Sequence, residues 1–152
     1  MLDNLKKYQI ILASNSPRRK ELMSGLGVDY VVRTLPDVDE SYPDTLVGAE
    51  IPEGAIEMLR ALSGKSHQVF TGVCLTTTEW QKSFTASSEV LFDVLSEDEI
   101  LYYVDRYLPM DKAGAYGVQE WIGYIGVKSI SGSFYNIMGL PIQKLYGELK
   151  KL

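Results

Sequence analysis

Cysteine and histidine are almost missing from this chain, which has one of each, Cys74 and His67. A single cysteine forms no intramolecular disulfide, and with one histidine for company it builds no structural zinc site. Any mechanism that needs two histidines is excluded, and a Ser-His-Asp triad would have to use His67. No run of about 18 apolar residues occurs, so no transmembrane helix is expected. The opening stretch, Met1 to Tyr8, lacks the apolar core of a secretory leader. A reducing cytoplasm is the expected compartment. Internal repeats, low-complexity tracts and the periods of collagen or coiled-coil rods are also missing. Positive charge is in deficit, with 15 Lys and Arg against 20 Asp and Glu, a net charge of −5. That argues against a nucleic-acid polymer as partner, because such binding draws on many phosphate contacts, and no membrane partner is expected either. A small phosphorylated ligand needs only two or three local cations and stays open.

What remains is an ordinary globular composition. A chain of 152 residues, 45% hydrophobic and 23% charged, reads as a single domain over 1–152. At that length it buries roughly two thirds of its unfolded surface. Tyr8–Ala13 is an apolar run that reads as a buried strand. Ser16 follows as a candidate N-cap with Pro17 at the first helical position, and the helix ends near Gly25 or Gly27. Tyr30–Thr34 reads as a second strand. The stretch 36–54, with three prolines and six carboxylates, reads as loop. Glu53–Leu62 is amphipathic and stops at Gly64. Val69–Leu75 and Phe84–Phe92 form a predicted hairpin around Thr78–Lys82. Ser96 to Glu99 is a capping box that opens a helix to about Tyr107. Pro109–Gly117 is a predicted loop, Trp121–Ile130 a glycine-broken strand, and Pro141–Lys150 a last helix. Strands mixed with helices make an α/β or α+β fold.

Three segments carry candidate chemistry. Ser14-Asn15-Ser16-Pro17-Arg18-Arg19 joins a strand end to a helix start, where backbone N–H groups and the positive dipole end favour anions. Ser14 and Ser16 add hydroxyls, and Arg18 and Arg19 add forks shaped for phosphate oxygens. The same residues also suit a plain capped helix with two exposed arginines. Asp37, Asp39 and Glu40 offer the oxygen ligands that Mg²⁺ takes alongside substrate phosphates, or simply a solvated acidic turn. In Asp111 to Gln119, small residues permit close backbone approach. Lys112 is within reach of a phosphate there, and the amide of Gln119 has a donor and an acceptor for a base edge. A tight loop with a surface lysine fits the same residues. His67 reads as a hydrogen-bonded structural histidine and Cys74 as a small core residue. The run Gly132 to Asn136, followed by Gly139-Leu-Pro141, reads as a structural turn before the last helix.

Taken in order, LASNSPRRKEL (12–22), DVDE (37–40), AIEMLRALSGKSHQVFTGV (55–73), DKAGAYGVQ (111–119) and GSFYNIMGLP (132–141) resemble the Maf family of nucleoside triphosphate pyrophosphatases. The resemblance spans nearly the whole chain. It implies an α/β domain with a mixed sheet, flanking helices and a central cleft, similar to inosine triphosphatases. It implies hydrolysis between the α and β phosphates with a divalent cation, Mg²⁺ first among candidates, and homodimers are frequent in the family. Matched residue by residue, Ser14, Arg18 and Arg19 fall on the phosphate-binding start. Glu40 falls on a metal-site or catalytic carboxylate, and Gln119 on a base-contacting position. Arg18 with Gln119 resembles the branch acting on dTTP and UTP, whereas the 7-methyl-GTP branch has Trp and Glu there.

The chain also departs from the family. Members carry a segment with a Lys-Ala pair, a strand ending in Gly-Ala-Asp-Thr and a Gly-Lys-Pro turn between the acidic loop and the helix at 53–62. Here Gly48-Ala-Glu-Ile-Pro52 runs directly into Glu53-Gly-Ala-Ile56. The missing Asp is the family's expected metal ligand or general base, and the missing lysines are expected on phosphate. A deleted segment implies a nucleotide-binding or regulatory protein without turnover. A segment present in the natural polypeptide but not in this sequence implies an enzyme, and a Cα spacing far above ~3.8 Å between Glu50 and Gly54 is the expected sign.

Overall fold

The computed structural model describes residues 2–34 and 52–152. Asp37, Asp39, Glu40, Glu50 and Ile51 lie outside the described residues, and with them the acidic-loop site and half of the Glu50–Gly54 window. The remainder of that window, from Pro52, is the first turn of a helix. The described residues are mixed α/β, with a two-stranded parallel sheet and a three-stranded sheet accompanied by helices. They group into two compact units. One comprises the residues up to 34, Phe70–Ser87 and Tyr135–Leu152, and the other comprises 52–69 and Ser88–Phe134.

The first unit starts with a 3-10 turn, Asp3–Lys7, then β1 (Ile10–Leu12), α1 (Pro17–Gly25) and β2 (Tyr30–Val32). β1 and β2 pair in parallel, Ile11 opposite Val31. Parallel neighbours need a crossover, and α1 supplies it. Both strands are shorter than their apolar runs, and the Tyr8 N–H is held by the Leu5 carbonyl of the preceding turn. α1 closes with Gly27 at φ +67°, and the amides of Leu26 and Gly27 return to Met23 and Ser24. Leu5, Met23, Leu140, Leu145 and Leu149 form the unit's buried core. The last two lie one turn apart on α6 (Ile142–Leu149), and a short helix, α5 (Phe134–Met138), stands before it at the edge of the unit.

The second unit is built on α2 (Pro52–Leu62), which packs on α3 (Glu97–Tyr107). Ala55 and Leu59 of α2, and Ile100, Tyr103 and Val104 of α3, are buried at helical spacing. The capping box at Ser96 and Glu99 forms as expected. The hairpin of β3 (Ser66–Thr76) and β4 (Gln81–Phe92) contributes residues to both units, and within the second β5 (Val127–Ser131) pairs antiparallel with β4 through Val90 opposite Ile130.

Three expectations are corrected. The Tyr8–Ala13 run is not a buried strand, since Ile11 is 47% exposed and Ile10 and Leu12 are only half-buried. The first half of Trp121–Ile130 is a helix, α4 (Trp121–Gly126), and only the second half is strand. A Cβ on Gly123 would sit 2.0 Å from the Val118 carbonyl oxygen, so glycine here lets the chain coil tightly after residue 118. Cys74 is exposed, not core. β3 alternates faces with period two, and Val73 and Leu75 take the inward positions on either side of it.

Candidate active site

Within the first unit, Ser14 and Arg19 are hydrogen-bonded at the start of α1, and Arg18 lies in the first turn of the same helix. Ser16 occupies the N-cap position of α1, yet its hydroxyl makes no cap bond. Instead its backbone N–H donates to Ser14 Oγ at 3.3 Å, and Arg19 Nη1 donates to the same oxygen at 3.3 Å. With two donors received, the Ser14 hydroxyl has its own proton to give to a ligand. No acidic residue stands in the first turn of α1. The positive end of the helix therefore faces no carboxylate of its own.

Sequence reasoning missed what holds the two arginines. Arg18 Nε donates to the Met138 carbonyl at 3.3 Å, and Arg19 Nε donates to the Gly139 carbonyl at 3.0 Å. No pattern in the sequence announces a backbone carbonyl as a partner, since every residue has one.

Within the second unit, Lys112 and Gln119 lie on one loop. Lys112 is not a surface lysine. It is buried, and its ammonium sits 2.8 Å from Asp111 Oδ1 and 3.1 Å from Glu120 Oε1. The charge expected on phosphate is thus matched by two carboxylates. Glu120 also accepts from the Tyr103 hydroxyl, whose oxygen accepts the Gly117 N–H at 2.9 Å. Burial first, and then the Glu120 carboxylate, push the Tyr103 hydroxyl well above the usual tyrosine range. Gly117 fits because a Cβ there would meet Glu120 Cδ at 2.5 Å. Lys112, Glu120, Tyr103 and Gly117 thus form one closed polar network around the turn that carries Gln119. Tyr103 was legible only as a residue within the helix expected to run to about Tyr107, and Glu120 only as the residue after the quoted motif.

Gln119 has its backbone carbonyl bonded by the Tyr124 hydroxyl at 2.9 Å. Its side-chain Oε1 is buried with no hydrogen-bond partner among the described residues. A buried carbonyl oxygen in that state costs about 1–3 kcal/mol relative to a paired one. It is an acceptor waiting for a donor. His67 has the structural surroundings expected of it, with Nε2 2.9 Å from the Tyr116 hydroxyl and its ring stacked on Phe92 at 5.7 Å. Among the described residues, no three His, Cys, Asp or Glu side chains gather into a group that would hold a metal ion. No helix among them is long and apolar enough to cross a membrane.

In the first unit, a helix start with two backbone-anchored arginines suits phosphate oxygens; in the second, the unsatisfied amide of Gln119 suits a hydrogen-bond donor. Comparison with known proteins supplies the family. The chain belongs to the Maf family, whose model, described as Maf-like protein, matches residues 49–152. Three similar proteins are a dTTP/UTP pyrophosphatase of Bacteroides thetaiotaomicron at 72% identity, one of Bacteroides fragilis at 61% and one of Phocaeicola vulgatus at 52%. Each comparison covers 100% of this chain and 100% of the relative. Each alignment runs over 193 positions against 152 residues here, a difference of 41.

Proposed function

We propose that this chain is a nucleoside triphosphate pyrophosphatase acting on dTTP and UTP, releasing the monophosphate and pyrophosphate. The observation that carries the reading is the paired anchoring of Arg18 and Arg19 beside the Ser14 hydroxyl at the start of α1. Phosphoryl chemistry asks chiefly for charge neutralisation and positioning, which fixed guanidinium groups supply. In this reading Arg18 and Arg19 take phosphate oxygens and Ser14 donates to one of them. Gln119 Oε1 receives the N3–H of uracil or thymine, a donor that matches its unsatisfied state. Lys112 reaches phosphate only by giving up its carboxylate partners, so its first role is to hold the loop. Glu40 is the proposed ligand of a divalent cation, Mg²⁺, whose chemistry is to neutralise phosphate charge. Glu40 lies outside the described residues. A cytoplasmic homodimer without nucleic-acid or membrane partners belongs to the same proposal.

A second reading rests on the 41 aligned positions that have no residue here. If they are absent from the natural polypeptide and include the family's Asp-bearing segment, the protein binds nucleotide without turning it over. One experiment separates the two. Pyrophosphate release is followed with dTTP, UTP, CTP and GTP in Mg²⁺, beside equilibrium binding of the same nucleotides. Release from dTTP and UTP supports the enzyme, binding without release supports the second reading, and neither binding nor release sinks both.

A further inference from the structure

The motif around Gly139 entered the sequence reading as a structural turn, and the structure gives it a more specific task. α5 ends in a Schellman turn. The Leu140 N–H returns to the Tyr135 carbonyl at 3.1 Å, and the Gly139 N–H returns to the Asn136 carbonyl at 3.1 Å. Gly139 sits at φ +123°, a conformation that L side chains rarely adopt. Reversing the chain there brings two successive carbonyls, Met138 and Gly139, to the Nε atoms of two successive arginines, Arg18 and Arg19. The platform is itself fixed. Asn136 is fully buried, its carbonyl accepts from the buried Thr71 hydroxyl at 3.2 Å, and Leu140 is buried in the core of the same unit.

We infer that the Met138–Gly139 turn is a positioning platform that fixes both guanidinium groups through their Nε–H before a ligand arrives. The inference rests on the reading that these arginines bind phosphate. A guanidinium grips an oxyanion either along its Nε–Nη edge or across its two Nη groups. With Nε committed to a carbonyl, the first mode is closed. Each side chain is then held in one rotamer before the ligand arrives, so less freedom is lost on binding. Lysine cannot replace arginine in this arrangement, since one ammonium would have to serve the carbonyl and the phosphate together. Gly139 is accordingly a positioning residue, acting through Arg19.

The test reads the Nε–H groups directly by ¹⁵N NMR of the full chain. Without ligand, the Nε–H of Arg18 and of Arg19 is expected to exchange at least about tenfold more slowly than those of the exposed Arg33 and Arg106. On titration with inorganic pyrophosphate, the Nη resonances should move while the Nε–H signals stay slow and nearly unshifted. In Gly139→Ala the Arg19 Nε–H should speed up, and the KM for dTTP should rise by on the order of tenfold or more. Fast Nε–H exchange in the wild type overturns the inference. So does a Gly139→Ala chain that frees the Arg19 Nε–H and keeps its KM and kcat. If Gly139→Ala does not fold, the wild-type titration decides, and Nε–H signals that shift as far as the Nη signals overturn it. Slow Nε–H with no nucleotide bound or turned over removes the functional reading instead. It leaves nothing to position, a failure separate from fast exchange.

Discussion

At the scale of the residue, Arg18 is the most exposed part of the proposal to test. Arg18→Lys loses both the planar fork and the Nε–H that meets the Met138 carbonyl. It should lower kcat/KM for dTTP by about 2–4 kcal/mol of transition-state stabilisation. Unchanged efficiency would take Arg18 out of the site. Gln119→Glu removes the NH₂ donor and puts a negative charge beside an acceptor position. UTP and dTTP turnover should fall more than the urea midpoint does, and equal losses for all four bases would make Gln119 structural. His67 adds a pH dependence. Burial lowers its pKa from the ordinary 6.5, so below that value the unfolded chain takes up a proton more readily than the folded one. Stability contributed by neutral His67 is present above about pH 6.5 and is lost as the pH falls through that window. Urea midpoints at pH 7 and pH 5.5 should therefore lie closer together in His67→Gln than in the wild type.

At the scale of the element, local signals that need no distant partner were read correctly. Ser96 caps α3 with its hydroxyl accepting from the Glu99 N–H at 3.3 Å, and Glu99 answers to the Ser96 N–H at 2.7 Å. Ser96→Ala should cost ~1 kcal/mol in thermal or urea unfolding. The proline at the start of α1 and the long hairpin were legible for the same reason. The segment from Trp121 was not, because its β-branched and aromatic residues favour strand locally and its glycines disfavour helix. Its helical start depends on the close pass of Gly123 over the Val118 carbonyl and on Gly126 against Phe92 and Leu95. No periodicity encodes such clearances. Gly123→Ala should therefore unfold the chain more easily than Gly147→Ala, where nothing lies within 4 Å of the new methyl group. Because Gly123 follows Gln119 so closely, the same change should blur discrimination between UTP and CTP.

At the scale of the whole molecule, the order of the motifs pointed to the family, and the matched model and relatives bear that out. The candidate site was legible only as residue types. Ser14, Arg18, Arg19 and Gln119 were singled out as candidates because phosphate and base recognition call for groups of those types. Their supports were not, since Met138 and Gly139 act through carbonyls, and Glu120 through a network closed by Tyr103 from another helix. The 193 aligned positions against 152 residues set the remaining question at this scale. An enzyme reading expects the protein isolated from its natural source to be heavier than this sequence. A mass equal to it, together with nucleotide binding and no pyrophosphate release, would favour the reading without turnover.

The outward turn of Cys74 has a practical side. It is the chain's one thiol, it is exposed, and hydrogen bonds from Ser83 and then Thr76 hold it below the usual thiol range. A maleimide dye or spin label added in stoichiometric amount should therefore attach at one known position without any engineered cysteine. This sequence thus arrives ready for distance and rotational-mobility measurements at a position away from the proposed site.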